Sequence, residues 1–172
     1  MSDTNSAESA ARPMGERIAA RLRLGERLLL VTHDRPDGDA LGSMLALARA
    51  ARAQGKTARM VCREVPRAYR FLAGGEAFVH PDDLRAAAGD ADRVVILDTC
   101  SLAQLTEVRD TIISYWPNLL VIDHHQTGHD IAPLRWRDPT AAATGVMVAE
   151  LLDLLGWPLD RAVAEPLMAA VC

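Results

Sequence analysis

The stretch Leu28-Leu29-Leu30-Val31-Thr32-His33-Asp34-Arg35-Pro36-Asp37-Gly38-Asp39 decides the fold. Its first four residues form an apolar run that predicts a strand over Leu28 to Thr32. An Ala/Leu-rich run, Ala40 to Gln54, comes next and predicts a helix, with Gly55 as the residue that ends it. His33, Asp37 and Asp39 are thereby crowded into one strand-to-helix loop. Gly38 permits a tight turn between the two acids. The arrangement recurs twice. Asp98 follows Val94-Val95-Ile96-Leu97, and Asp123-His124-His125 follows Leu119-Leu120-Val121-Ile122. Continuous apolar runs of this length suit strands covered on both faces.

Strands alternating with helices imply βαβ units. The expected fold is therefore α/β, with three layers and a mostly parallel sheet carrying helices on both faces. Further strands are expected at Thr57 to Cys62 and, as an edge, Leu134 to Arg137, with a minor one at Glu76 to His80. Helices are expected at Met14–Leu24, Pro66–Leu72, Pro81–Ala88, Leu102–Trp116 and Thr140–Leu155, with a last one capped by Asp160.

In a parallel α/β sheet, ligands bind outside the carboxyl ends of the strands, where the strand order reverses. All three acid/histidine clusters are expected there. Each residue has an ordinary reading by itself: Asp37 and Asp39 as turn or N-cap residues, Asp98 as the N-cap of the next helix, the paired histidines as solvated loop. Taken together, the clusters point to one shared polynuclear metal site. Asp37 and Asp39 need not face the same ion, and Asp98 could bridge two ions through its two oxygens. Mixed imidazole and carboxylate donors suit Mn²⁺, Co²⁺ or Zn²⁺ better than an all-oxygen Mg²⁺ site. Two such ions are the usual apparatus of phosphoester hydrolysis.

The bulk properties agree. The 172 residues are 49% hydrophobic and 24% charged, enough for one domain with a real core. A net charge of −4 argues against a broad basic surface for long duplex DNA. No apolar run is long enough to span a bilayer. Residues 1–16 lack the apolar core of a secretory signal and are expected to be a disordered leader. Cys62, Cys100 and Cys172 match no zinc or CxxC spacing, and an odd count fits a reducing cytoplasm.

With its first motif His33-x-x-Pro36-Asp37-Gly38-Asp39-Ala40-x-Gly42-Ser43, with Asp98, with Asp123-His124-His125, and with Ala141-Ala142-Ala143-Thr144-Gly145 ahead of Glu150-Leu151-Leu152, the chain closely resembles the DHH phosphoesterase superfamily. The first motif is most similar to the branch of bifunctional oligoribonuclease/pAp-phosphatases. The resemblance implies two manganese ions, with Mg²⁺ or Co²⁺ as alternatives. It implies His33 and Asp37 as ligands of one ion, Asp39 and His124 as ligands of the other, and Asp98 as the bridge. His125 would contact the scissile phosphate, and Asp123 would orient its neighbours. The implied substrates are short RNA oligonucleotides and nucleoside bisphosphate, 3′-phosphoadenosine 5′-phosphate above all, and homodimers are common in the family. The family pattern also carries a fourth motif, an Asp after an apolar helix, and a smaller C-terminal substrate-binding domain. Neither is found before Cys172. A truncated catalytic domain over residues 17–172 with an incomplete second metal site is therefore expected. The alternative is a catalytically impaired fragment, or a nucleotide-binding module that turns nothing over.

Overall fold

The computed structural model describes residues 4–172, with side chains from position 13 onward. The elements run α1 (Thr4–Leu24), β1 (Arg27–Val31), α2 (Gly38–Ala53), β2 (Thr57–Met60), α3 (Arg70–Ala73), α4 (Leu84–Ala87), β3 (Arg93–Leu97), α5 (Arg109–Ile113), β4 (Leu119–Asp123), β5 (Leu134–Arg137), α6 (Thr144–Leu155) and α7 (Arg161–Val171). Four single 3-10 turns stand at Arg67–Tyr69, Pro81–Asp83, Leu102–Gln104 and Trp116–Asn118.

The five strands form one sheet in the order β2-β1-β3-β4-β5, and every pairing is parallel. Alternate strand residues point to opposite faces. Leu28, Leu30, Val95, Leu97, Leu120, Ile122 and Trp136 pack with α1, α2, α6 and α7. Leu29, Val31, Val94, Ile96, Leu119 and Val121 pack with Leu84, Leu105, Val108 and Ile112 on the other side. The three layers are those expected, and burial on both faces is why the central strands read as unbroken apolar runs. Truncating one such side chain, as in Leu30→Ala, would cost about 2–5 kcal/mol through lost transfer energy and the cavity left behind.

Several local expectations are corrected. α1 begins at Thr4, not Met14, so part of the expected leader is helical. Its Ala- and Glu-containing sequence has good helix propensity. Gly15 is buried, with space for no more than a hydrogen before Leu154 and Trp136, so the anchored part begins before position 17. Residues 1–3 lie outside the described residues. The single helix expected over 102–116 is broken into a 3-10 turn, an irregular turn over 105–108 and the short α5. Thr106 is drawn out of the helix by Asp34, whose carboxylate accepts from its amide at 3.0 Å and its hydroxyl at 2.6 Å. The minor strand near residue 80 reduces to one bridge, Val61 to Val79. The helices expected from Pro66 and Pro81 each open as a 3-10 turn.

Helices α2 and α7 are in close contact. A Cβ at Gly42 would stand 2.3 Å from the Pro166 carbonyl oxygen, and one at Gly38 would stand 2.8 Å from that of Ala169. Glycine is required at these two positions for backbone to meet backbone. The contact brings α7 directly behind the start of α2, where Asp37 is the N-cap and Asp39 lies in the first turn.

Candidate metal centre

From β1 the chain moves outward to β2, then returns past β1 to β3. The two connections diverge from the carboxyl ends of β1 and β3 and leave a cleft between them, the general ligand site of such sheets. His33 follows β1, Asp98 immediately follows β3, and Asp123 is the last residue of β4. All seven residues singled out in the sequence gather at this end.

Asp98 is at the centre. It is 2% exposed, and its φ of 62° makes it the one non-glycine residue with positive φ among the described residues. Asp98 tolerates this region better than most residues but still at a cost of about 1–2 kcal/mol. Its oxygens face three imidazoles: His33 Nε2 at 3.7 Å, His124 Nε2 at 3.8 Å and His125 Nδ1 at 3.9 Å. These separations exceed hydrogen bonds. They are close to the roughly 3–3.5 Å between two ligands of one ion when each sits about 2.1 Å from it. Two ligand-type groups, His33–Asp37–Asp98 and Asp98–His124–His125, each keep their donor atoms within 4.8 Å of one another, and Asp98 belongs to both. The donor set therefore fits two neighbouring divalent cations with one shared carboxylate.

Asp39 approaches His124 Nε2 at 3.5 Å. Its carboxylate also accepts from the backbone amides of Thr144 and Gly145, both at 2.8 Å, and from the Ser43 hydroxyl at 3.2 Å. Those amides open α6, whose N-cap position is Ala143, a residue with no capping side chain. Asp39 thus caps a helix more than a hundred residues away and meets its positive dipole end. This explains why α6 starts at Thr144 and not at Thr140: the preceding turn aims these amides at the cleft. Burial, then the Asp98 charge, push the Asp39 carboxyl up to about 6, against the two amides and His124. Asp37 is itself the N-cap of α2, accepting from the Ala40 amide at 3.1 Å. Asp37 thus has its ordinary role as a helix cap and also stands in the His33–Asp37–Asp98 group.

The paired histidines are held differently. His124 Nδ1 meets the Ala141 carbonyl at 3.3 Å, which directs Nε2 at Asp39 and Asp98. His125 Nδ1 donates to Asp123 Oδ1 at 2.6 Å, and its side chain is half exposed at the mouth. Burial opposes protonation of His125, but the hydrogen bond and charge of Asp123, with Asp98 and Asp39 beyond, leave its pKa raised. Asp123 is fully buried and acts through His125.

Thr144 supports this cluster and was not among the site residues that the sequence singled out. It is fully buried, its hydroxyl donates to Asp98 Oδ1 at 2.9 Å, and its amide donates to Asp39. Only its place in the Ala141–Gly145 motif pointed to it. His80 stands apart, between Arg63 and Asp82.

Comparison with known proteins accords with this geometry. The profile of the DHH family, N-terminal domain, matches residues 27–171. The bifunctional oligoribonuclease and PAP phosphatase NrnA of Thermus thermophilus is 35% identical over 144 residues, covering 84% of this chain and 42% of that protein. The cyclic-di-AMP phosphodiesterase GdpP of Bacillus subtilis is 24% identical over 165 residues, covering 82% of this chain and 25% of that protein. The chain thus spans less than half the length of these relatives. Among solved structures, an exopolyphosphatase-related protein from Bacteroides fragilis superposes with a TM-score of 0.84 at 22% identity, over 92% of this chain and 49% of that one. The exonuclease RecJ bound to manganese superposes with a TM-score of 0.56 at 18% identity, over 89% and 41%. At these identities the superpositions establish the fold.

Proposed function

The chain belongs to the DHH family, and from that membership we propose that it is the catalytic domain of a divalent-metal-dependent phosphoesterase acting on short oligoribonucleotides and on 3′-phosphoadenosine 5′-phosphate. The observation that carries the reading is the Asp98 carboxylate common to two ligand-type groups at the strand-order reversal. The metal proposed is Mn²⁺, two ions, with Mg²⁺ or Co²⁺ as substitutes. RecJ is bound to manganese, and imidazole with carboxylate suits that ion. In the proposal His33 and Asp37 hold one ion, His124 and Asp39 the other, and Asp98 both. When bound, the ions supply Lewis acidity and water activation at neutral pH.

The protein's own groups do the rest. Thr144 fixes the Asp98 carboxylate, and the opening turn of α6 fixes that of Asp39, so the donors stand in place before substrate arrives. His125 contacts the scissile phosphate at the cleft mouth. Asp123 behind it holds the ring orientation and raises its affinity for a proton, which favours a donor facing an anion. The proposal places the reaction in the cytoplasm, and a homodimer is compatible with it. No helix of the described residues is long and apolar enough to cross a membrane.

The test is hydrolysis of 3′-phosphoadenosine 5′-phosphate and of an RNA dinucleotide with and without Mn²⁺. Metal-dependent release of phosphate and mononucleotide, abolished by Asp98→Asn, is expected. Absence of turnover by the wild type at saturating Mn²⁺ would sink the proposal. Binding of both compounds without turnover would select the nucleotide-binding alternative.

A further inference from the structure

The loops after β3 and β4 enclose a cavity of about 280 Å³ beside the metal centre, with His125, Thr99, Ser101, Thr127 and His129 among its walls. No carboxylate lines it, although Asp37, Asp39, Asp98 and Asp123 all lie at the adjoining end of the sheet. Its polar side chains are hydroxyls, imidazoles and the Gln104 amide, group types that can donate to an anion. A second cavity of about 220 Å³ shares Cys100 and His129 with the first and adds Arg135 and Arg137.

The two arginines differ. Arg135 is neutralised by Asp130 at 2.9 Å. Arg137 makes no ion pair among the described residues. It is the register partner of Asp123, so it stands one strand over from the residue that holds His125. Between the cavities lies Gly128. A Cβ there would stand 1.7 Å from Cys100 Sγ and 3.3 Å from Arg137 Nη1. Glycine keeps this wall thin, so the Arg137 guanidinium, which lines the second cavity, lies directly behind the Gly128 wall of the first.

Resting on the phosphoesterase reading above, we propose that this cavity receives a second phosphate of the substrate, adjacent to the scissile one, and that Arg137 and His129 are the residues that select for it. In a nucleoside bisphosphate this is the non-scissile phosphoryl group. In an oligonucleotide it is the neighbouring phosphodiester. A guanidinium without a carboxylate partner can take such an oxygen pair in bidentate fashion. The hydroxyls of Ser101 and Thr127 complete a site whose partners would be left unsatisfied by a substrate lacking that group, which is how a polar site discriminates.

The experiment compares kcat/KM for 3′-phosphoadenosine 5′-phosphate with that for bis-p-nitrophenyl phosphate, both with Mn²⁺, in the wild type, Arg137→Ala and Arg137→Lys. Arg137→Ala is expected to lower the ratio of the two by about tenfold or more, chiefly through KM for the bisphosphate. Arg137→Lys is expected to recover part of it. An unchanged ratio in Arg137→Ala overturns the inference. If the wild type turns over neither compound, the phosphoesterase reading fails. The inference is then decided by calorimetric titration of the Mn²⁺-loaded protein with the bisphosphate. Binding weakened about tenfold by Arg137→Ala upholds it. Equal binding by both proteins, or none by the wild type, overturns it.

Discussion

The Thr144 hydroxyl donates to the Asp98 carboxylate at 2.9 Å, and both side chains are buried. Removing that donor leaves a buried carboxylate oxygen short of a partner, which costs about 1–3 kcal/mol. Thr144→Val keeps the shape and loses the hydroxyl. Its melting temperature without metal should fall by about 2–10 °C for a domain of this size. Thr144→Ser should restore most of the loss. Equal melting of the valine variant and the wild type would refute the coupling.

Mn²⁺ should raise the thermal stability of the wild type. An ion at about a hundred times its Kd stabilises by about 2.7 kcal/mol, several degrees in melting temperature. Asp98→Ala removes the donor common to both groups, so most of the Mn²⁺-dependent shift should vanish in that variant, as read by scanning calorimetry.

The acid limb of the stability curve carries the signature of Asp39. Burial and then Asp98 push its carboxyl from 3.8 to about 6. An acid raised in the fold binds its proton more tightly there than in the unfolded chain. Its contribution is complete below pH 3.8 and is lost as pH climbs through about 6. In metal-free protein the melting temperature should therefore carry a falling component between these values, and Asp39→Asn should flatten it. The stabilisation by Mn²⁺ should have the opposite slope, growing over the same interval, because the ion requires the carboxylate.

Gly42→Ala should be costly, since its Cβ would sit 2.3 Å from the Pro166 carbonyl oxygen. Forcing α2 and α7 apart costs about 1–3 kcal/mol, and the shift would be passed to Asp39 three residues earlier. Gly89→Ala is the control, with nothing nearer than 3.7 Å. Melting temperature and Mn²⁺ affinity should both fall in the first variant only.

Thiol labelling should be selective. Cys172 is exposed, whereas Cys62 and Cys100 are buried. Burial, and then the neighbouring Asp123, push the Cys100 thiol up to about 11, so little thiolate is present near neutrality. Iodoacetamide should modify Cys172 in the native protein, and Cys62 and Cys100 only on unfolding, as resolved by peptide mass analysis.

The architecture was legible because burial on both faces leaves a plain mark. Leu28–Val31, Val94–Leu97 and Leu119–Ile122 can only be so uniformly apolar between two layers. Parallel strands also share a direction, so the residues that follow them must meet. The sequence alone therefore places His33, Asp98 and Asp123–His125 at one end of the sheet. It does not place their supports. Thr144 looks like one more small residue in an Ala-rich run, and its role depends on α6 being aimed across the sheet at Asp39. The break at Thr106 depends on Asp34, seventy-two positions away. Helical periodicity reports only on near neighbours, and these contacts outweigh it.

At Asp98 the backbone itself records a preference that the fold does not share. A φ of 62° is the territory of glycine, and glycine there would relieve about 1–2 kcal/mol. A lineage freed from the need for that carboxylate would gain robustness by a single change to glycine or asparagine. An aspartate held in this posture is therefore a running expense in heritable stability, and related sequences should drift at this position only where the chemistry has been given up.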